Sequence, residues 1–161
     1  MVSRPGKLGT AGYAHFTSKE DLVANVLADQ LRAQRHSLDA QASDRAGLEA
    51  FVRSYLSPEH RDQCADGCPS AALLDEIVRR PATTRQVFTN EQLATADEIA
   101  ARLDPTDAEA ARTDALTLLG LMLGTLQLSR ALTDRDLSDQ LLERGVETAL
   151  KLIDDRVSSM G

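Results

Sequence analysis

The sequence predicts an all-α fold, on the basis of three observations. Aromatic residues make up only 3% of the 161 residues, and tryptophan is absent. Alanine and leucine dominate the composition, and both favour helices over sheets, which need β-branched and aromatic residues. Apolar residues also recur at the three- and four-residue spacing of amphipathic helices. These observations exclude an all-β fold.

Ser18 begins the first predicted helix. Its side chain is suited to cap the helix, acidic residues follow in the first turn, and an apolar stripe then runs from Leu22 to Leu31. The pattern predicts one long helix from Ser18 to about Ala42. A second amphipathic helix is predicted to begin at Ser43-Asp44 and to end at Ser57-Pro58.

The segment from Ser57 to Pro69 is predicted to be a polar loop. Three further helices are then expected before the chain reaches its last one: residues 71–78, residues 84–103, and a helix that opens at Pro105-Thr106-Asp107. Thr133 and Asp134 cap the last helix, which is expected to run to about Arg156.

The helix after Asp107 contains an uncharged run from Ala115 to Ser129. It is shorter than the ~20 apolar residues needed to cross a bilayer, so we expect a buried helix and no contact with membranes. Gly120 and Gly124 lie on one face and would let another backbone approach closely. Together with the last helix, this surplus apolar surface predicts a homodimer built as a four-helix bundle. The predicted interface residues are Leu116, Gly120, Leu123, Gly124, Gln127, Leu142, Val146 and Leu150.

The charge distribution and the sequence motifs limit the classes of function that this chain could have. The formal net charge is −7, but the first twenty residues carry +2, so nucleic-acid contacts belong at the N-terminus. The sequence has no glycine-rich phosphate loop and no catalytic spacing of Ser, His and Asp, so we expect no enzymatic activity. His60, Cys64 and Cys68 have a helical spacing that would suit a metal, but prolines and Gly67 interrupt it, so we expect no metal and no cofactor.

A short pattern near the N-terminus resembles the end of the TetR-family DNA-binding domain. There, a recognition helix closes with Tyr-x-His-Phe-x-Ser-Lys-x-x-Leu, and a connecting helix begins at the serine. The matching residues in this chain are Tyr13, His15, Phe16, Ser18, Lys19 and Leu22. The stretch Gly67-Cys68-Pro69 also resembles one branch of that family.

The resemblance implies a TetR-like helical bundle with a long connecting helix and a two-helix dimerisation face. Residues 1–17 would be the remnant of a helix-turn-helix domain, residues 18–42 the connecting helix, and residues 43–161 the effector-binding and dimerisation domain. The implied function is a ligand-responsive transcriptional repressor. The DNA-binding residues that it implies are Thr10, Tyr13, His15 and Lys19. For Lys19, the alternative is that it only belongs to the N-terminal cap of the helix, together with Ser18, Glu20 and Asp21.

A pocket between helices is the expected site for a small apolar or amphipathic effector, whose identity the sequence does not give. Its predicted lining is Cys68, Leu73, Ile77, Phe88, Met122 and Leu126. A fully packed core is the alternative for the same residues.

The N-terminus departs from the family pattern. TetR-like proteins carry further helices before this point, whereas only seven residues precede Leu8, and Gly9 and Gly12 favour helix poorly. We therefore expect this chain to bind operator DNA weakly, although the full-length form of such a regulator binds it. Either a start codon is assigned too late or the gene is truncated, or the chain is a stand-alone helical dimer that binds a small molecule or a full-length relative. No signal-peptide core follows Lys7, so we expect a cytoplasmic protein.

Overall fold

Seven helices and no strand form the part of the chain that the computed structural model describes, residues 18–63 and 69–159. This confirms the predicted all-α class. None of these helices is long and apolar enough to span a membrane. In chain order they are α1 (Lys19–Asp39), α2 (Arg45–Tyr55), α3 (Pro58–Asp62), α4 (Pro69–Val78), α5 (Ala82–Leu103), α6 (Ala108–Ala131) and α7 (Arg135–Ser158).

Side-chain caps begin the helices at the positions that the sequence predicts. The Ser18 hydroxyl accepts a hydrogen bond from the backbone N–H of Asp21 at 3.1 Å. Carboxylates of Asp44, Asp107 and Asp134 do the same at α2, α6 and α7. Such caps satisfy backbone donors that have no partner inside the helix, which is why these short polar residues fix the starts.

Several helix boundaries differ from the prediction, and α4 and α5 each begin two residues earlier than expected, at Pro69 and Ala82. Helix α1 ends at Asp39, three residues earlier than expected, and α3 lies inside the segment predicted to be a loop. Ser57 caps α3 by accepting from the N–H of His60 at 3.2 Å, and Pro58 occupies the first turn. A serine followed by proline can both follow the end of one helix and begin another, and Ser57-Pro58 does both here.

Most of the apolar core lies among α2, α5, α6 and α7, and the end of α1 reaches it through Leu38. Helices α6 and α7 approach closely at Gly145, where an added Cβ would lie 2.5 Å from Cγ2 of Thr125. A second, smaller cluster joins Leu27 and Leu31 of α1 to Ile77 of α4. The two halves of α1 therefore rest on different parts of the molecule.

Helix α5 holds the middle and the end of α1. The buried Arg102 guanidinium donates to the carbonyl oxygens of Leu38 and Ala42, at 3.4 and 3.3 Å, and so satisfies groups at the C-terminal end of α1. The carboxylate of Glu91 accepts from Arg32 and Arg35 of α1, each at 3.0 Å.

A charged network holds α3 against α7. The Arg61 side chain is only 3% exposed, and it donates to Asp62, to Asp139 and, at 2.8 Å, to the Ser138 hydroxyl. Arg135 donates to both carboxylate oxygens of Asp62. These bonds to Arg135, and then those to Arg61, hold the pKa of Asp62 well below its usual range.

Candidate ligand-binding site

A cavity of about 270 Å³ lies between the first half of α1, the end of α4 and the start of α5. Its wall is almost entirely apolar, and its size is near the lower end of ligand pockets, which start at about 300 Å³. The lining residues are Leu22, Val23, Val26, Leu27, Gln30, Glu76, Ile77, Arg80 and Thr84.

One face of α1 and the connection between α4 and α5 form most of this cavity. On α1, the lining positions recur at the spacing of a single helical face, from Leu22 to Gln30. Helix α4 ends at Val78, and the backbone N–H of Arg80 donates to the carbonyl of Ile77 at 3.0 Å. Pro81 then begins α5. This tight connection brings Ile77, Arg80 and Thr84 to the same side of α1.

Two charged residues, Glu76 and Arg80, line the cavity, and Arg80 also pairs with Glu20; we name these three residues the rim cluster. Arg80 donates from Nη1 to Oε1 of Glu20 at 3.1 Å and from Nη2 to Oε1 of Glu76 at 2.7 Å. The second carboxylate oxygen of Glu20, Oε2, is buried and has no hydrogen-bond partner among the described residues. The rim cluster thus joins the start of α1 to α4 and to the α4–α5 turn, and it leaves one acceptor unsatisfied.

The structure divides the predicted effector pocket. Ile77 lines the cavity, and Phe88 packs against the cluster that contains Ile77. Met122 and Leu126 are 0% exposed in the main core, so they do not share that cavity. Their position fits the packed-core alternative, and a role of these two residues in binding an effector stays a prediction.

The structure does not describe the side chains of two further predicted pocket residues. Cys68 lies outside the described residues. Leu73 is in α4, but its side chain lies outside the described part as well.

The lining residues of α1 were missed as pocket residues. The sequence predicts only that Leu22, Val23 and Val26 belong to an apolar helical stripe, and Val26 remains 48% exposed at the edge of the cavity. These residues share one helical face, as the stripe predicts, and helical spacing alone does not show that part of this face borders a cavity.

The residues that the resemblance assigns to DNA fall mostly outside the described part. Thr10, Tyr13 and His15 lie there. Lys19 is exposed in the first turn of α1, next to the Ser18 cap.

The predicted dimer interface is also divided. Leu123 and Leu142 are buried in the core of their own chain, and Val146 and Leu150 pack against that core. Burial within their own chain leaves these four residues little surface for a partner, and their part in a dimer interface stays a prediction.

The remaining residues of α6 form an uncovered surface, which we name the α6 outer face: Leu116, Thr117, Gly120, Gly124 and Leu128. All five are exposed and uncharged, and Leu128 is 54% exposed. A Cβ added at Gly120 or Gly124 would meet nothing within 4 Å, so no part of the described chain approaches these glycines closely. Gln127 is half-buried beside this face.

His60 has a structural role in the described part of the chain. Its Nδ1 lies 2.7 Å from the carbonyl oxygen of Tyr55, and its ring meets the Tyr55 ring edge-on with centroids 4.8 Å apart. Between residues 18 and 159, the described positions contain no group of three His, Cys, Asp or Glu side chains that would hold a metal ion.

A second cleft, of about 230 Å³, lies between the first half of α6 and the end of α7. Arg156 lines it and donates to Asp104 and Asp114, each at 3.1 Å. The cation there is held by two carboxylates of the same chain, although its buried Nε has no hydrogen-bond partner among the described residues.

No protein-family model matches the chain, and no curated protein matches it.

Proposed function

We propose that this chain is a TetR-like, ligand-responsive transcriptional repressor that acts as a homodimer. In this proposal, the described residues supply ligand binding and pairing. The observation that carries the proposal is the apolar cavity beneath the first half of α1, the helix that directly follows the pattern resembling the end of a recognition helix.

The cavity lies where a ligand can act on α1. The middle and end of α1 are held by Glu91 and Arg102, whereas its first half rests on the cavity and the small cluster around Ile77. A ligand that contacts residues 22–30 and the α4–α5 turn would prefer one position of that first half over another. Such a preference is what allows binding at one site to change binding at a second site.

Pairing would turn this movement into a response at DNA. Two recognition helices of a dimer read successive major grooves about 34 Å apart, so a tilt of α1 in each copy changes their spacing. The α6 outer face is the surface that we propose for pairing, because it is apolar, uncharged and uncovered in the single chain.

Blocking the cavity tests the ligand-binding part. N-phenyl-1-naphthylamine, an apolar probe that fluoresces when it leaves water, is titrated into the full 161-residue chain. We expect Val26→Trp to weaken its binding at least tenfold, because the indole would fill the edge of the cavity. Leu137→Trp is the matched control, since Leu137 is equally exposed, 48%, on a helix that contributes nothing to the described lining.

Equal binding of the dye by wild type and Val26→Trp would remove the cavity from the proposal.

The regulatory part is tested in the native cell by deleting the gene and restoring either the wild-type or the Val26→Trp form. Transcripts of the neighbouring genes should change on deletion and return with wild type, and their response to an added apolar compound should be lost with Val26→Trp. Transcripts that ignore the deletion would overturn the regulator and leave a ligand-binding helical protein.

A further inference from the structure

The lining of the cavity indicates the chemical class of its ligand. We infer that the cavity takes an uncharged organic molecule with a compact apolar body and one hydroxyl or carbonyl group, which forms a hydrogen bond with Thr84. This inference rests on the proposed function, because it deepens the role of the same cavity.

The charged residues of the lining leave no charge for a ligand to pair with. Glu76 and Arg80 have opposite charges, and Nη2 of Arg80 donates to Oε1 of Glu76 at 2.7 Å. Nη1 of Arg80 donates at 3.1 Å to Glu20, which is not part of the lining. An ion of either sign in the cavity would therefore lack a counter-ion, and burial of an unpaired charge is strongly unfavourable. An uncharged ligand avoids this cost.

Thr84 is the polar residue in the buried part of the lining. Leu27, Ile77 and Thr84 are 2%, 6% and 2% exposed, whereas Gln30 and Glu76 are exposed and lie at the edge of the cavity. Water continues to satisfy polar groups at the edge when a ligand binds. The apolar body of a ligand would thus contact Leu27 and Ile77, and a polar group that it carries inward would meet Thr84.

The hydroxyl of Thr84 keeps a hydrogen-bonding capacity that the described residues leave unused. A threonine in a helix often donates to the carbonyl one turn earlier, as Thr89 does to Arg85 at 2.9 Å. Thr84 lies in the first turn of α5, and no hydrogen bond among the described residues involves its side chain. A buried hydroxyl without a partner costs free energy. Since a hydroxyl both donates and accepts, a ligand hydroxyl or carbonyl would satisfy it.

The volume of the cavity limits the size of the apolar body. An apolar cavity of roughly 150 Å³ holds benzene, so a cavity of about 270 Å³ holds a body of about ten carbon atoms. A naphthalene ring has this size. The ligand class is therefore an uncharged body of that size with a single hydrogen-bonding group.

Four naphthalenes that differ only in the substituent at position 2 test the inference. At pH 7, 2-naphthol and 2-methylnaphthalene are uncharged, 2-naphthoate is an anion and 2-naphthylmethylammonium is a cation. Equilibrium dialysis against the full chain at low salt measures the dissociation constant of each probe. We expect each uncharged probe to bind at least tenfold more tightly than either ion, because the lining cannot replace the hydration that an ion loses.

Substitution of Thr84 tests the hydrogen bond. Thr84→Val removes the hydroxyl and keeps the shape of the side chain, so it should weaken 2-naphthol at least fivefold relative to 2-methylnaphthalene, which has no hydroxyl. Thr84→Ser keeps the hydroxyl and should keep the wild-type ratio of the two dissociation constants. Thr83→Val is the matched control, since Thr83 is the exposed neighbour in the same turn and is not part of the described lining.

Stability without a probe separates a binding role from a structural one. Thr84→Val should unfold at the same urea concentration as the wild type, because no hydrogen bond of the Thr84 side chain joins the described residues. A Thr84→Val chain that is less stable or unfolded would show that the hydroxyl serves the fold, and this would overturn its assignment to the ligand.

The remaining outcomes separate this inference from the proposed function. An ion that binds as tightly as 2-naphthol overturns the uncharged ligand and leaves the cavity in place. A ratio of the two dissociation constants that survives Thr84→Val overturns the hydrogen bond to Thr84 and also leaves the cavity. If none of the four probes binds the wild-type chain, the cavity itself is overturned, and with it the ligand-binding part of the proposed function.

Discussion

Asp104 joins the turn between α5 and α6 to the end of α7. Its Oδ1 accepts from the Thr106 hydroxyl at 2.6 Å and from the backbone N–H groups of Thr106 and Asp107, both at 3.0 Å. Its Oδ2 accepts from Arg156 at 3.1 Å. The Thr106 hydroxyl above all, then the two N–H groups and Arg156, lower the pKa of Asp104 from its ordinary value, although its burial acts in the opposite direction.

This lowered pKa predicts a loss of stability in acid. An aspartate in the unfolded chain titrates near pH 3.9, and in the folded chain Asp104 titrates lower. The folded state therefore gains stability from Asp104 above about pH 4, and the gain is lost as the pH falls through the folded pKa. Urea unfolding between pH 6 and pH 2.5 measures it.

The variant for this test is Asp104→Asn. It keeps an oxygen for the Thr106 and Asp107 donors but does not ionise. We expect it to be less stable than wild type at pH 6 and to lose less stability on acidification. Identical slopes for the two proteins would contradict the assigned role of Asp104.

At the scale of elements, the two halves of α1 differ in their contacts with the rest of the chain. Its second half is tied to α5 by Arg102 and reaches the main core through Leu38. Its first half rests on a cluster of three buried residues and on the cavity. Local opening of a helix costs less free energy where fewer apolar contacts must be broken.

Hydrogen exchange measures this difference. Amides of residues 23–28 should exchange at least tenfold faster than those of residues 34–39, although both sets lie inside the same helix. Saturation with N-phenyl-1-naphthylamine should slow exchange in residues 23–28 and leave residues 34–39 unchanged. Uniform protection along α1, with or without the probe, would show that the helix opens as one unit.

The elements were more predictable than the site. Helix starts follow from local chemistry, since Ser18 and Asp44 need only their own neighbours to cap a helix. The cavity depends on which helices meet. Ile77 and Met122 are both apolar and buried, and no local pattern assigns one to a cavity and the other to a filled core. Helical spacing indicates which face is buried but does not identify its partner.

At the scale of the whole molecule, the α6 outer face is a surface that the described residues leave uncovered. Helix α6 packs against α5 and α7 on its other sides, and its neighbours bury it there. The contrast between glycines is informative: Gly145 is needed for the close approach of α6 and α7, whereas a Cβ added at Gly120 or Gly124 would meet none of the described residues within 4 Å. Glycine inside a helix costs about 1 kcal/mol relative to alanine, so these two glycines destabilise the single chain without any gain in packing.

A second copy of the chain would supply the missing contact, and charge at the α6 outer face tests it. Sedimentation of the wild-type chain at micromolar concentration should show a dimer. The double variant Gly120→Arg and Gly124→Arg should be monomeric, because two like charges per copy would face each other in the interface. It should stay fully helical, since a Cβ at either position has open space and arginine favours helix more than glycine does.

Dilution separates pairing from folding in the same variants. At concentrations low enough to dissociate the wild-type dimer, the arginine variant should exceed wild type in unfolding free energy by up to about 1 kcal/mol per position, because only the helix propensity then differs. The matched control is the double variant Ala50→Arg and Ala101→Arg, which adds the same charge at exposed positions of α2 and α5. This control should dimerise as the wild type does. A wild-type chain that sediments as a monomer throughout the micromolar range would remove the second copy as the partner of this face. A charged variant that still pairs would place the interface elsewhere on the molecule.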